Sequence, residues 1–101
     1  MSLVALDSYQ IPQGEKAHSL MTLFLEDLGT QAIIVGSAIV QGPGQEPEEG
    51  RILTFVVNGQ HKLQLLSQTK VPGCAYAMAS LQQPGRMVAA INGIVFLIAD
   101  P

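Results

Sequence analysis

The feature that most narrows what this chain can fold into is an ordered trio of β-rich runs that occurs twice. Residues 18–25 (HSLMTLFL), 32–40 (AIIVGSAIV) and 51–57 (RILTFVV) form the first trio. Residues 74–81 (CAYAMASL), 86–91 (RMVAAI) and 94–99 (IVFLIA) repeat it in the same order. Each run is short and apolar, with Gly, Pro or Asn in the turns around it, which reads as strand. A helix competes for residues 18–25, because Leu and Met favour one. The shortness of that run and the polar EDLGT after it decide for a strand. The first strands of the two trios start about 56 residues apart and the third strands roughly 43 apart, periods typical of propeller blades. The difference is residues 41–50 (QGPGQEPEEG), which the second trio replaces with Asn92-Gly93.

A blade has four antiparallel strands stepping outward from a central channel. Residues 62–70 (KLQLLSQTK) supply the fourth strand of the first unit. Leu63, Leu65 and Ser67 alternate there with Gln64, Leu66 and Gln68, as in a partly solvated outer strand. The reading is therefore all-β, about two antiparallel propeller blades. Residues 1–17 form a connection, 18–70 a complete four-stranded blade, and 74–99 three strands of a second blade that lacks its outer strand. Residues 3–6 are apolar enough for a short terminal strand. The near-continuous apolar run at 18–25 is what a strand covered on both faces shows. Gly36, alone inside a strand, marks a bulge or a close backbone approach. Asn58-Gly59 and Asn92-Gly93 read as tight turns, the first linker extending as far as His61. Inner strands crowd the channel and need small residues, which Ser19, Ala75, Ala77, Ala79 and Ser80 supply. A seven-stranded sandwich, or a small ligand-binding barrel, remains an alternative on strand count alone.

Composition adds bounds. A chain of 101 residues makes one small domain. Folding alone, it would bury only roughly 60–65% of its unfolded surface. Yet 48% of its residues are hydrophobic and 13% charged, so part of its surface expects a cover, either more protein or another copy. The net charge is −3 and no two Lys or Arg are adjacent, which argues against phosphate-backbone binding. One cysteine excludes a disulfide framework. No apolar run has the length of a membrane helix, and the first residues lack the basic and apolar regions of a signal peptide.

No catalytic constellation emerges, and no metal or cofactor site. Glu46, Glu48 and Glu49 sit in a Pro/Gly loop without His or Asn partners, which reads as a solvated loop. His18 and His61 are far apart and Cys74 is the only thiol, too few ligands for zinc. Cys74 opens an inner strand, as a buried inert thiol would. Ser19 and Ser37 lack a nucleophile-elbow frame. Gly42-Pro43-Gly44 is followed by neither Lys-Ser/Thr nor a helix start, so it is no phosphate loop.

Several spaced phrases carry a family resemblance. Val35-Gly36-Ser37-Ala38, then Glu46-Pro47-Glu48-Glu49, Gly50-Arg51-Ile52, Lys62-Leu63-Gln64-Leu65, and Lys70, Gly73 and Ala75-Tyr76 follow in family order. Over residues 18–99 the chain resembles the large triple-propeller family. That family includes the large subunit of the damaged-DNA-binding complex, the large cleavage and polyadenylation factor subunit and a splicing-factor subunit. The likeness is to a third propeller of the damaged-DNA-binding type. The chain departs from the family in the end of its last strand (Phe96-Leu97-Ile98-Ala99), in a longer link at residues 82–85, and in being far shorter.

The resemblance implies a non-catalytic nuclear scaffold: an adaptor that brings substrate receptors to a cullin-RING ubiquitin ligase in DNA-damage recognition and repair. This segment would form part of a receptor cleft wall, away from the cullin site, and would meet nucleic acid only through the full complex. The alternative within the family is an RNA-processing scaffold. Missing an outer strand, residues 94–99 should form an unpaired apolar edge that pairs with another copy, giving a homo-oligomer.

Overall fold

A computed structural model describes residues 3–82 and 85–99. Seven strands follow in order: β1 (Glu15–Leu25), β2 (Thr30–Ile39), β3 (Gly50–Val57), β4 (Leu63–Val71), β5 (Ala75–Ser80), β6 (Arg86–Ile91) and β7 (Ile94–Ala99). They make two antiparallel meanders, a four-stranded sheet in the order β1-β2-β3-β4 and a three-stranded sheet in the order β5-β6-β7. These are two propeller blades, and among the described residues no fourth strand joins β7. The β5 strand lies against β1, with lesser approaches to β2 and β3.

The repeat is visible in the backbone. In β1 the register slips between Ala17 and Ser19, leaving His18 as the extra residue. In β5 it slips between Ala75 and Ala77, leaving Tyr76. A bulge twists an inner strand and redirects one side chain. The two redirected rings meet edge to face, with 6.2 Å between centroids. The two trios thus share a local distortion as well as an order of strands.

Two apolar clusters hold the molecule. The larger lies between the sheets and includes Leu23, Leu25, Ile34, Ile52, Met87, Ala89 and Ile91. The smaller, Val35, Leu53 and Phe55, lies on the opposite face of the first sheet. Alternation makes this possible: along β2 and β3 successive side chains point to opposite faces, and both faces are covered. Fully buried Ile34, Leu53 and Ile91 each contribute about 1.5–3 kcal/mol relative to exposure.

Several expectations need correction. Residues 3–6 form no strand; they run exposed, because no sheet edge pairs with them. The first strand begins at Glu15, not His18, since Glu15 pairs with Ile39 and Lys16 with Ala38. Nor is it covered on both faces: Leu23 and Leu25 are buried, whereas Leu20 is 70% exposed and Phe24 also faces out. Asn58-Gly59 is not a two-residue turn. The connection runs to Lys62, with Asn58 N–H donating to Lys62 O at 2.9 Å, and the positive φ (60°) falls on His61. Asn92 does adopt positive φ (51°) in its tight turn. The link at residues 82–85 closes with Leu81 N–H donating to Arg86 O; Gln83 and Pro84 lie outside the described residues, as does the chain end at Asp100 and Pro101.

Gly36 satisfies both readings of an isolated strand glycine. It pairs with Ser19 across the β1 bulge. A Cβ there would stand 2.5 Å from Ser19 Oγ and 2.8 Å from the Ala75 Cβ, so a side chain would push the sheets apart.

Candidate interaction surface

The most developed polar feature crosses all four strands of the first sheet. Glu15 on β1 accepts two bonds from the Arg51 guanidinium on β3, at 2.7 Å from Nε and 2.8 Å from Nη2. Ser37 on β2 donates its hydroxyl to the same carboxylate, and Arg51 Nη1 donates to the Gln68 side chain on β4. Arginine suits this place because its planar fork matches a carboxylate. The Arg51 bond and the Ser37 hydroxyl hold the Glu15 carboxyl below its ordinary range, and Glu15 in turn raises the Arg51 guanidinium. The charges neutralise each other, so this clamp ties strands together and offers no free group for chemistry. Sequence reasoning placed Glu15 in a connection and missed it. The usable signal was Gly50-Arg51, a lone cation at the start of an otherwise uncharged strand.

A second polar cluster joins the sheets. Asn92 Oδ1 accepts the Cys74 N–H at 3.0 Å, and Asn92 Nδ2 donates to Pro47 O at 2.9 Å. Ser19 Oγ donates to Ala75 O at 2.5 Å, and Gly85 N–H donates to Phe24 O at 3.3 Å. The second sheet is therefore pinned to the first near the inner strands and at both ends. The β2–β3 loop is part of this junction through the Pro47 carbonyl, a role its composition did not reveal.

The singled-out residues do not converge. Glu46, Glu48 and Glu49 point into solvent from the β2–β3 loop. His18 lies at the β1 bulge and His61 in the β3–β4 connection, at opposite ends of the first sheet. Ser19 and Ser37 commit their hydroxyls to Ala75 O and Glu15. Gly42-Pro43-Gly44 forms an exposed turn closed by Gln45 N–H on Gly42 O. Cys74 is fully buried; desolvation first, and then the Glu46 charge, push its thiol up. Among the described residues no three of His, Cys, Asp and Glu are grouped as a metal site would need. Among the described residues no helix is long and apolar enough to cross a membrane.

What remains is surface. On the outer side of the first sheet, Leu20, Ile33, Val35 and Phe55 line a depression of about 500 Å³. Tyr9 from the N-terminal segment packs edge to face on Phe55, with centroids 4.9 Å apart, and Asp7 accepts the Leu63 N–H at 2.8 Å. On the outer side of the second sheet, Ala77 pairs with Ala90 and Ala90 with Val95, while Ala79 pairs with Val88 and Val88 with Leu97. Val95 is 75% exposed and Leu97 70%. Between the outer strands of the two sheets lies a wedge of about 360 Å³ lined by Ile52, Thr69, Val71, Phe96 and Ile98. Each sheet thus has one face in the shared core and exposed apolar side chains on the other, Leu20 beside the small Val35-Leu53-Phe55 cluster on the first sheet and Val95 and Leu97 on the second, as blades within a ring do.

Comparison with known proteins agrees with this geometry. The model of the CPSF A subunit region matches residues 1–99. DNA damage-binding protein 1 of Solanum lycopersicum is 31% identical over 87 residues, 86% of this chain. The protein of that name from Oryza sativa subsp. japonica is 33% identical over 87 residues, and DNA damage-binding protein 1a of Arabidopsis thaliana is 34% identical over 92 residues, 91% of this chain. In all three cases the chain spans 8% of the relative's length. With that match running through both sheets and the junction between them, the chain belongs to the CPSF A subunit region family.

Proposed function

We propose that this chain is a non-catalytic scaffold segment that presents propeller blades to protein partners. The observation that carries the reading is the exposed apolar side chains on the outer sides of a two-blade wedge whose two main polar clusters hold strands and sheets together. The relatives named DNA damage-binding protein 1 support a place in DNA-damage recognition. On this reading the meander β1–β4 and the meander β5–β7 act as two blades, and the residues before Glu15 act as a connection. The finer function is that of an adaptor: part of a cleft wall that holds substrate receptors of a cullin-RING ubiquitin ligase in the nucleus, reaching nucleic acid through the complex. The exposed edge of β7 also gives the chain a route to pairing with a second copy.

The test is a retention experiment with the purified chain immobilised. A substrate receptor of a cullin-RING ligase should be retained and the cullin should pass through. Failure to retain the receptor at micromolar concentration would overturn the adaptor reading. Salt-dependent retention of an RNA oligomer in its place would favour the RNA-processing branch of the family.

A further inference from the structure

The chain contains the sequence Asn-Gly twice, and the fold treats the two copies differently. We infer that Asn58 is a site of spontaneous deamidation, and that Asn92 is protected by the junction it closes. The reaction needs no bound reagent. The Gly backbone nitrogen attacks the Asn side-chain carbonyl carbon, forming a C–N bond. The bond from that carbon to Nδ2 breaks, and ammonia leaves with the amide proton. Water then opens the cyclic imide at either carbonyl, giving aspartate or isoaspartate. Glycine after Asn favours the attack because no Cβ hinders the approach.

At Asn58 the surroundings assist. Its Oδ1 accepts two backbone N–H groups, Gln60 at 2.9 Å and Lys62 at 3.1 Å. Attack puts negative charge on that oxygen, and donors aimed at a developing oxyanion lower the barrier. Both residues are exposed, and a Cβ built on Gly59 would meet nothing within 4 Å. Among the described residues Asn58 Nδ2 has no protein acceptor, so the departing nitrogen breaks no bond to the fold. Asn92 differs in burial and at the leaving nitrogen: it is half-buried and its Nδ2 donates to Pro47 O at 2.9 Å, while its Oδ1, accepting Cys74 N–H, and its backbone N–H, donating to Cys74 O, are engaged as those of Asn58 are. A Cβ added at Gly73 would collide with the Asn92 side chain, so the amide is boxed in as well as bonded. Deamidation at 92 must first open the contact between the sheets.

The product at residue 58 carries a new carboxylate beside Lys62. Its isoaspartate form lengthens the backbone within the β3–β4 connection, so the bonds to Gln60 and Lys62 cannot both be kept in their present form. The modification therefore changes both charge and shape at one end of the first sheet.

The test uses the unmodified chain, aged in mildly alkaline buffer. Conversion is followed by peptide mapping and by labelling with an isoaspartyl methyltransferase. Residue 58 should convert at least roughly tenfold faster than residue 92, a barrier difference of ~1.4 kcal/mol. In denaturant the two rates should converge. Gly59→Ala should slow conversion at 58 and leave the rate at 92 unchanged. Equal rates in native buffer, faster conversion at 92, or no conversion at 58 would each overturn the inference.

Discussion

Glu15 shows how much one side chain does in this small fold. Its carboxylate is mostly buried, faces the Arg51 fork and takes the Ser37 hydroxyl. Its acidity is raised in the folded state, so folding favours the ionised form. The sign follows: the stabilisation is fully present above the ordinary glutamate range and is lost as pH falls through the lower, folded-state value. Glu15→Gln should cost about 1–3 kcal/mol at neutral pH, because Arg51 keeps its desolvation without its counter-charge. The variant should also show a flatter loss of stability on acidification. Urea titrations of both proteins between neutral pH and pH values below the carboxylate range would check this; parallel acid limbs would count against the clamp. The pair was half legible in the sequence. Arg51 stood out as a lone cation in an uncharged strand, but its partner lies two strands away in the sheet and β1 was read as starting after it. Ion pairs between non-neighbouring strands depend on register, which residue types alone do not specify.

At the scale of elements, the contact between β2 and β5 depends on the absence of a side chain. Gly36 lets Ser19 and Ala75 close over the backbone, and Ser19 is itself held by Ala75 O. Ser19 therefore cannot swing aside freely to admit a methyl group. Gly36→Ala should destabilise the chain by about 1–3 kcal/mol through overpacking. The effect should be local: amide hydrogen exchange in β5 and β6 should accelerate more than in β3 and β4. Uniform acceleration would mean that the glycine serves its own strand and not the junction. Gly50 has a parallel role, since a Cβ there would collide with the backbone carbonyls of Gly73 and Ser37. That single glycine in a strand pattern announces close approach was legible in the sequence. What approaches it was not, because Ala75 is remote in the chain and reaches Gly36 only when the second sheet docks.

For the whole molecule, the governing fact is that each sheet has one face in the shared core while exposed apolar side chains stand on the other, beside the buried Val35, Leu53 and Phe55 on the first sheet and across β7 on the second. Leu20 projects from the outer face of one sheet, Val95 and Leu97 from the outer face of the other. The proposed self-association through β7 makes a measurable claim. Sedimentation velocity should show a concentration-dependent species larger than a monomer, and Leu97→Lys should lower it by placing a charge beside the edge. A wild-type chain that sediments as a monomer at every concentration would overturn it.

By itself the sequence determined the all-β class, the strand order, the repeat and the family. These rest on local alternation, turn residues and spaced phrases, all of which are written along the chain. It placed β6 and β7 at their observed bounds, where Asn92-Gly93 joins two clean apolar runs. It started β1 three residues late, and it read a tight turn at Asn58-Gly59 where the positive φ falls on His61, although it carried the linker as far as His61. There the decisive facts are a bulge opposite Gly36 and side-chain bonds that hold a longer loop. Only the tertiary structure decided which face of each strand is core and which is surface, that the acidic loop lends its Pro47 carbonyl to Asn92, and that two chemically identical Asn-Gly pairs differ in burial and in what holds the amide nitrogen. The reason is physical: burial and long-range hydrogen bonds belong to pairs of residues distant in the chain, and neither member carries the information alone.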